Sequence, residues 1–151
     1  MYLRDDGEIM EGASLTGHLA VGVPGTVAGL AEAHRRFGSL PWADLLAPAL
    51  RLAREGFEVP AQLDRLAREE RIRLAVRSNF IQGFGGLRAG ETFRQPELAA
   101  TLARLQAQGP REFYEGETAR LIVEEMRRGE GLVSAEDLAG YEPVWRRPVD
   151  A

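Results

Sequence analysis

The 151-residue chain contains no cysteine. Disulfides, thiolate metal sites and a cysteine nucleophile are therefore excluded for these residues. Lysine is absent as well, so all 19 strongly basic side chains are arginines, joined only by two histidines. That excludes Schiff-base chemistry and a phosphate-gripping P-loop lysine. Long apolar runs are missing too, and none approaches the roughly 20 residues that span a bilayer. The opening "MYLRDDGEIMEG" (Met1 to Gly12) has no apolar core followed by small residues, so no signal peptide is visible. Nothing in the chain selects between a periplasmic, a secreted and a cytoplasmic setting.

Hydrophobic residues make up 44% and charged residues 28% of the chain, the balance of a globular protein rather than a disordered one. The formal charge is −4, which argues against a dedicated nucleic-acid binder. The length suits one domain able to bury roughly 70% of the surface of its unfolded form.

The pattern predicts a mainly α fold of five to six helices with short extended ends. Residues 1–23 read as an extended, turn-rich lead-in, 24–141 as a helical region and 142–151 as an extended tail. "RDDG" (Arg4 to Gly7) reads as a turn, and "HLAVGV" (His18 to Val23) as a short strand. A first helix runs from Pro24 to Gly38. A second starts near Pro41, with Leu45, Leu46, Ala49, Leu50 and Ala53 inward and a kink or break expected at Pro48. A third follows Pro60, with Leu63, Leu66, Ala67 and Leu74 on one side and Glu69 spaced to pair with Arg73.

"NFIQGFGGLRAGE" (Asn79 to Glu91) is glycine-rich and predicts a loop. The fourth helix opens at Pro96, places Leu98, Leu102 and Leu105 inward and ends at Gly109. The fifth, after Pro110, sets Phe113, Ala119, Ile122, Val123 and Met126 inward, with Gly116 able to divide it. Ser134 and Asp137 form a capping-box variant. The tail "EPVWRRPVD" carries two prolines that forbid helix.

Candidate chemistry is thin. In "VGVPGTVAGL" (Val21 to Leu30), Gly22, Gly25 and Gly29 miss the dinucleotide spacing G-x-G-x-x-G. The free amides of a helix start could hold an anion. The simpler reading is that Gly25 tightens the entry turn while Gly29 lets another element approach. His18 and His34 lack a metal-ligand spacing and read as structural or solvated. Asp5/Asp6, Glu69/Glu70 and Glu124/Glu125 are adjacent pairs, which point about 100° apart on a helix and do not share a proton. Ser14, Ser39, Ser78 and Ser134 lie in no G-x-S-x-G elbow. "QGFGG" (Gln82 to Gly86) reads as a connector, with a lid as the alternative.

Three blocks carry a family resemblance. "GVPGTVAGLAEAHRRFGSLPWADLLAPALRLAREGF" (Gly22 to Phe57) resembles the VPGTVAG helix, G-x-L-P turn and LAPA-x-x-LA-x-x-GF helix of γ-glutamyltransferases. "GETFRQPELAATLARLQAQGPREFYEGETARLIVEEM" (Gly90 to Met126) and "GLVSAEDLAGYEPVWRRPV" (Gly131 to Val149) follow in family order. Glu130 stands where that family usually has a second glycine before "GL". The resemblance implies the helical part of a four-layer αββα N-terminal-nucleophile hydrolase. Such an enzyme cuts itself and then uses a new N-terminal threonine to cleave γ-glutamyl amides such as glutathione, with no metal or organic cofactor. The family's threonine and its R-E-x-A-P arginine motif are absent here, so no catalytic, substrate-binding, cofactor-binding or metal residue is assigned. The implied partners are the remaining large subunit and the small subunit, with the γ-glutamyl substrate bound by the full enzyme only. Neither nucleic acid nor membrane is implied, and an uncovered apolar patch would favour self-association. The alternatives are a freestanding helical interaction module and an acylase of the same superfamily acting on another amide.

Overall fold

A computed structural model describes residues 2–77 and 79–149, with the side chains of residues 73, 74, 76 and 77 outside that description. Eight α-helical segments occur among the described residues: α1 (Thr26–Phe37), α2 (Trp42–Glu55), α3 (Ala61–Arg77), α4 (Phe80–Phe84), α5 (Pro96–Gln108), α6 (Glu112–Glu115), α7 (Glu117–Arg128) and α8 (Ala135–Ala139). Two short strands, β1 (Phe57–Glu58) and β2 (Thr92–Phe93), pair antiparallel with Phe57 opposite Phe93.

The mainly α reading holds, and the extra segments have local causes. Gly116 divides α6 from α7 as its extended backbone interrupts the helical run. The glycine-rich stretch expected to be all loop contains α4, whose Phe80 and Phe84 rings stack at 4.3 Å, and β2 follows it. Glycine content hid a helix that is held by its aromatics. The expected strand at His18 to Val23 is instead a single 3-10 turn over His18–Ala20 followed by irregular backbone, with no partner strand beside it among the described residues.

Pro48 sits inside α2, which runs unbroken from Trp42 to Glu55. Gly56 then ends α2 with φ of 90°, a conformation that L side chains rarely adopt. Ser134 and Asp137 form the expected capping box at α8: the Ser134 hydroxyl accepts from the Asp137 amide at 3.1 Å and the Asp137 carboxylate accepts from the Ser134 amide at 2.9 Å. The pair expected between Glu69 and Arg73 involves a side chain outside the described residues, and Glu69 lies 3.7 Å from Arg65.

The C-terminus of α7 is unusual. The Gly131 amide donates to the Met126 carbonyl at 2.8 Å and Glu130 donates to Arg127 at 3.4 Å, the two bonds of a Schellman motif. That motif puts Glu130 at φ 55°, the one non-glycine residue with positive φ among those described.

The core has two parts. In the first, Tyr114, Ala119, Val123, Met126, Val133 and Leu138 bury the inner faces of α6, α7 and α8. In the second, Leu50 and Ala53 of α2 pack against Ala99 of α5. The α2 and α5 helices run antiparallel: the Gln95 amide donates to Ala53 at 2.9 Å, and at the other end the Trp42 indole donates to the Leu105 carbonyl at 3.1 Å. Three side chains expected inward, Leu45, Ala49 and Leu98, are exposed, and the buried α2–α5 contact is made by Leu50 and Ala53 against Ala99.

Candidate functional site

The VPG turn resolves first. Gly25 is the N-cap of α1 in a right-handed conformation and, lacking a side chain, makes no cap of its own. Tyr114 of α6 supplies one from afar. Its hydroxyl accepts from the Ala28 amide at 3.0 Å and donates to the Pro24 carbonyl at 2.8 Å. Burial pushes the Tyr114 phenol above its ordinary value, so the hydroxyl keeps the proton it donates. The ring of Tyr141 stacks on Tyr114, with centroids 5.8 Å apart, and lies over Gly25. Two tyrosines thus occupy the space before the helix where an anion would sit.

Gly25 stands in the entry turn as expected, but the close approach expected at Gly29 occurs at Gly25 as well. A Cβ on Gly25 would lie 2.6 Å from Tyr141 Cζ, whereas one on Gly29 would meet nothing within 4 Å. Close approach is the function of Gly25.

Beside this turn lies a cleft of about 660 Å³ between α1, the start of α2, α6 and the tail. Its walls include Trp42, Tyr114, Tyr141, Pro110 and Pro143, and its volume is that of a small-molecule site. Its charged groups, however, are paired with one another. His34 Nε2 donates to the Leu40 carbonyl at 2.8 Å. Arg35 grips Glu32 through two bonds of 2.7 and 2.8 Å, and the Trp145 indole donates to the same carboxylate at 2.9 Å. Those contacts, Arg35 first, hold the Glu32 carboxyl down at about 2. Arg111 pairs with Glu115. This arrangement braces helices and tail; it does not present a nucleophile beside a base.

His18 is likewise structural. Its Nε2 donates to Glu125 at 2.8 Å, and Arg128 Nε donates to the same carboxylate at 2.8 Å. Gly129 closes over the imidazole so tightly that any Cβ there would overlap the ring. The 16-residue separation between His18 and His34 in sequence is matched by separate partners in space, and among the described residues no three His, Asp or Glu side chains gather to hold a metal.

Sequence reasoning missed the most buried polar cluster. The Glu112 side chain is fully buried and accepts from Arg104 Nε at 3.0 Å, from the Thr118 amide at 2.9 Å and from the Thr118 hydroxyl at 2.8 Å. Arg104 also donates to Thr101 at 3.1 Å. The cluster joins α5 to α6 and α7. Asp64 of α3 is buried as well, accepting from Arg68 at 2.9 Å and the Ala89 amide at 3.3 Å through Oδ2, while Oδ1 has no partner among the described residues. Of the serines weighed, Ser134 is spent on its capping box, and Ser78 lies outside the described residues.

The family described as Gamma-glutamyltranspeptidase matches residues 1–151. The chain belongs to the γ-glutamyltranspeptidase family.

Among curated members, the chain is 48% identical over 149 residues to the glutathione hydrolase proenzyme of Pseudomonas aeruginosa, covering 99% of this chain and 27% of that protein. It is 40% identical over 154 residues to the glutathione hydrolase proenzyme of Escherichia coli, covering the same 99% and 27%. It superposes on the solved γ-glutamyltranspeptidase of Pseudomonas nitroreducens with a TM-score of 0.89 and 46% identity, over 98% of this chain and 44% of that one. That fold is an N-terminal-nucleophile hydrolase, to which this γ-glutamyltranspeptidase segment contributes helices. The chain spans about a quarter of the length of the curated relatives it matches, 27% in both cases.

Proposed function

We propose that this chain is the helical scaffold of the large subunit of a longer enzyme that cleaves γ-glutamyl amides such as glutathione. In that parent an N-terminal threonine hydroxyl attacks the amide carbonyl, its own α-amine takes up the proton, and the amine product leaves. The resulting γ-glutamyl ester passes to water or to an acceptor amine. The observation that carries this reading is 48% identity to a glutathione hydrolase proenzyme across 99% of the chain.

The chain itself supplies position rather than chemistry. Its arginines and carboxylates in the cleft neutralise each other in pairs, and its two histidines each hold backbone or a neighbouring carboxylate. No residue of it is assigned a catalytic role.

The test is an assay with a chromogenic γ-glutamyl amide, run on this chain and on the longer polypeptide read from its gene. Release of chromophore by the self-cleaved parent alone is expected. Turnover by the 151-residue chain would overturn the scaffold assignment. A parent that cleaves other amides and ignores γ-glutamyl ones would place it with the acylases.

A further inference from the structure

Helix α2 has two apolar faces, and only one is used. Leu50 and Ala53 face α5, packing against Ala99. Leu45, Ala49 and Leu52 recur at i, i+4 and i+7 on another stripe, roughly 100° around the helix at 100° per residue. There Leu45 is 48% and Leu52 50% exposed, with Ala49 and Pro48 also exposed between them. Asp44, Arg51, Arg54 and Glu55 keep to the remaining sector. A helix that is apolar on two sectors and polar on the third matches burial on two sides.

The surface area points the same way. The chain exposes 11050 Å², whereas a compact monomer of its 16.6 kDa exposes about 7,600 Å². The extended ends contribute to that excess, and so do the bare leucines of α2. The excess is no smaller than one partner's share of an obligate interface, roughly 1,000–2,500 Å² a side. Material to cover it exists in the relatives, since the chain accounts for 44% of the solved γ-glutamyltranspeptidase on which it superposes.

We propose that the Leu45–Ala49–Leu52 stripe is an internal packing face, covered in the parent by an apolar surface of the remaining polypeptide. The inference rests on the reading of this chain as part of a longer enzyme, and is independent of that enzyme's substrate.

Cysteine accessibility tests it, because the segment has no native cysteine. Leu45→Cys, Leu52→Cys and, as reference, Arg51→Cys are placed singly in the parent. Each is labelled with a thiol reagent and read by peptide mass spectrometry, folded and in denaturant. Positions 45 and 52 are expected to react about a hundredfold more slowly than position 51 in the folded parent and equally in denaturant. Equal labelling of all three in the folded state would overturn the proposal. Protection that disappears on dilution to a monomeric parent would also overturn it, in favour of a second copy of the molecule as occupant. Labelling needs no turnover, so a parent inactive on γ-glutamyl amides would sink the functional reading and leave this result standing.

Discussion

The ring of Tyr141 occupies the volume that any side chain on Gly25 would need, with Cζ 2.6 Å from the position of an added Cβ. The tail leaving α8 is thereby pressed onto the first turn of α1. Gly25 has φ of −102°, which any residue adopts, so its requirement is steric and comes from a residue far along the chain.

Gly25→Ala is therefore expected to destabilise by about 1–3 kcal/mol, the cost of overpacking a closed site, and Gly25→Val by more. Tyr141→Ala should remove most of the additional penalty, giving a strongly non-additive double-mutant cycle by thermal or urea unfolding. Additive effects would mean that the two residues do not meet.

The buried cluster of Arg104, Glu112 and Thr118 predicts a larger effect. Arg104→Ala leaves the Glu112 carboxylate without its counter-charge in a site where its side chain is fully buried. A loss of about 3–5 kcal/mol is expected, measured by urea denaturation. The replacement Arg104→Ala with Glu112→Leu should recover part of it, since removing both charges also removes the unpaired one.

Acid should loosen the attachment of the lead-in to α7. Arg128 and then His18 hold the Glu125 carboxyl at about 2, below its ordinary 4.5. A carboxylate whose pKa is lower in the folded state stabilises the fold fully above about 4.5, and loses that contribution as pH falls toward 2. Melting temperatures of the wild type and Glu125→Gln should therefore differ at neutral pH and converge on acidification through that window. A constant difference down to the lowest pH would reject the linkage.

Glu130 stands in the left-handed region at φ 55°, at the position where the family pattern has glycine. Glu130→Gly is expected to raise stability by about 1 kcal/mol, because glycine carries no Cβ penalty there. A melt that falls after this change would show that the glutamate side chain offsets the strain.

Much of the architecture was legible along the chain. Pro96 and Gly109 bracket α5, Gly116 parts α6 from α7, and Ser134 with Asp137 caps α8, each through bonds spanning four residues or fewer. The inward set of α7 was readable because its apolar spacing is regular and its opposite face is charged. The Schellman glycine missing at Glu130 was visible as a departure from a motif, although its meaning needed the backbone angle.

The cleft and its braces were not legible in the same way. Tyr114 meets Pro24 across 90 residues, and Trp145 meets Glu32 across 113. No local pattern announces such partners, since each aromatic would look the same facing solvent. The outward turn of Leu45 and Ala49 was hidden for a related reason: periodicity says that a face is apolar, but not which neighbour will take it.

The amino-acid order by itself determined the longer helices, most of their ends and the absence of thiol and lysine chemistry, because these depend on residue type and on contacts within one or two turns. Tertiary structure alone decided that two tyrosines close the VPG turn, that the charges of the cleft neutralise one another and that one face of α2 stays bare. Those outcomes depend on which distant surfaces come together, and that is a property of packing rather than of spacing.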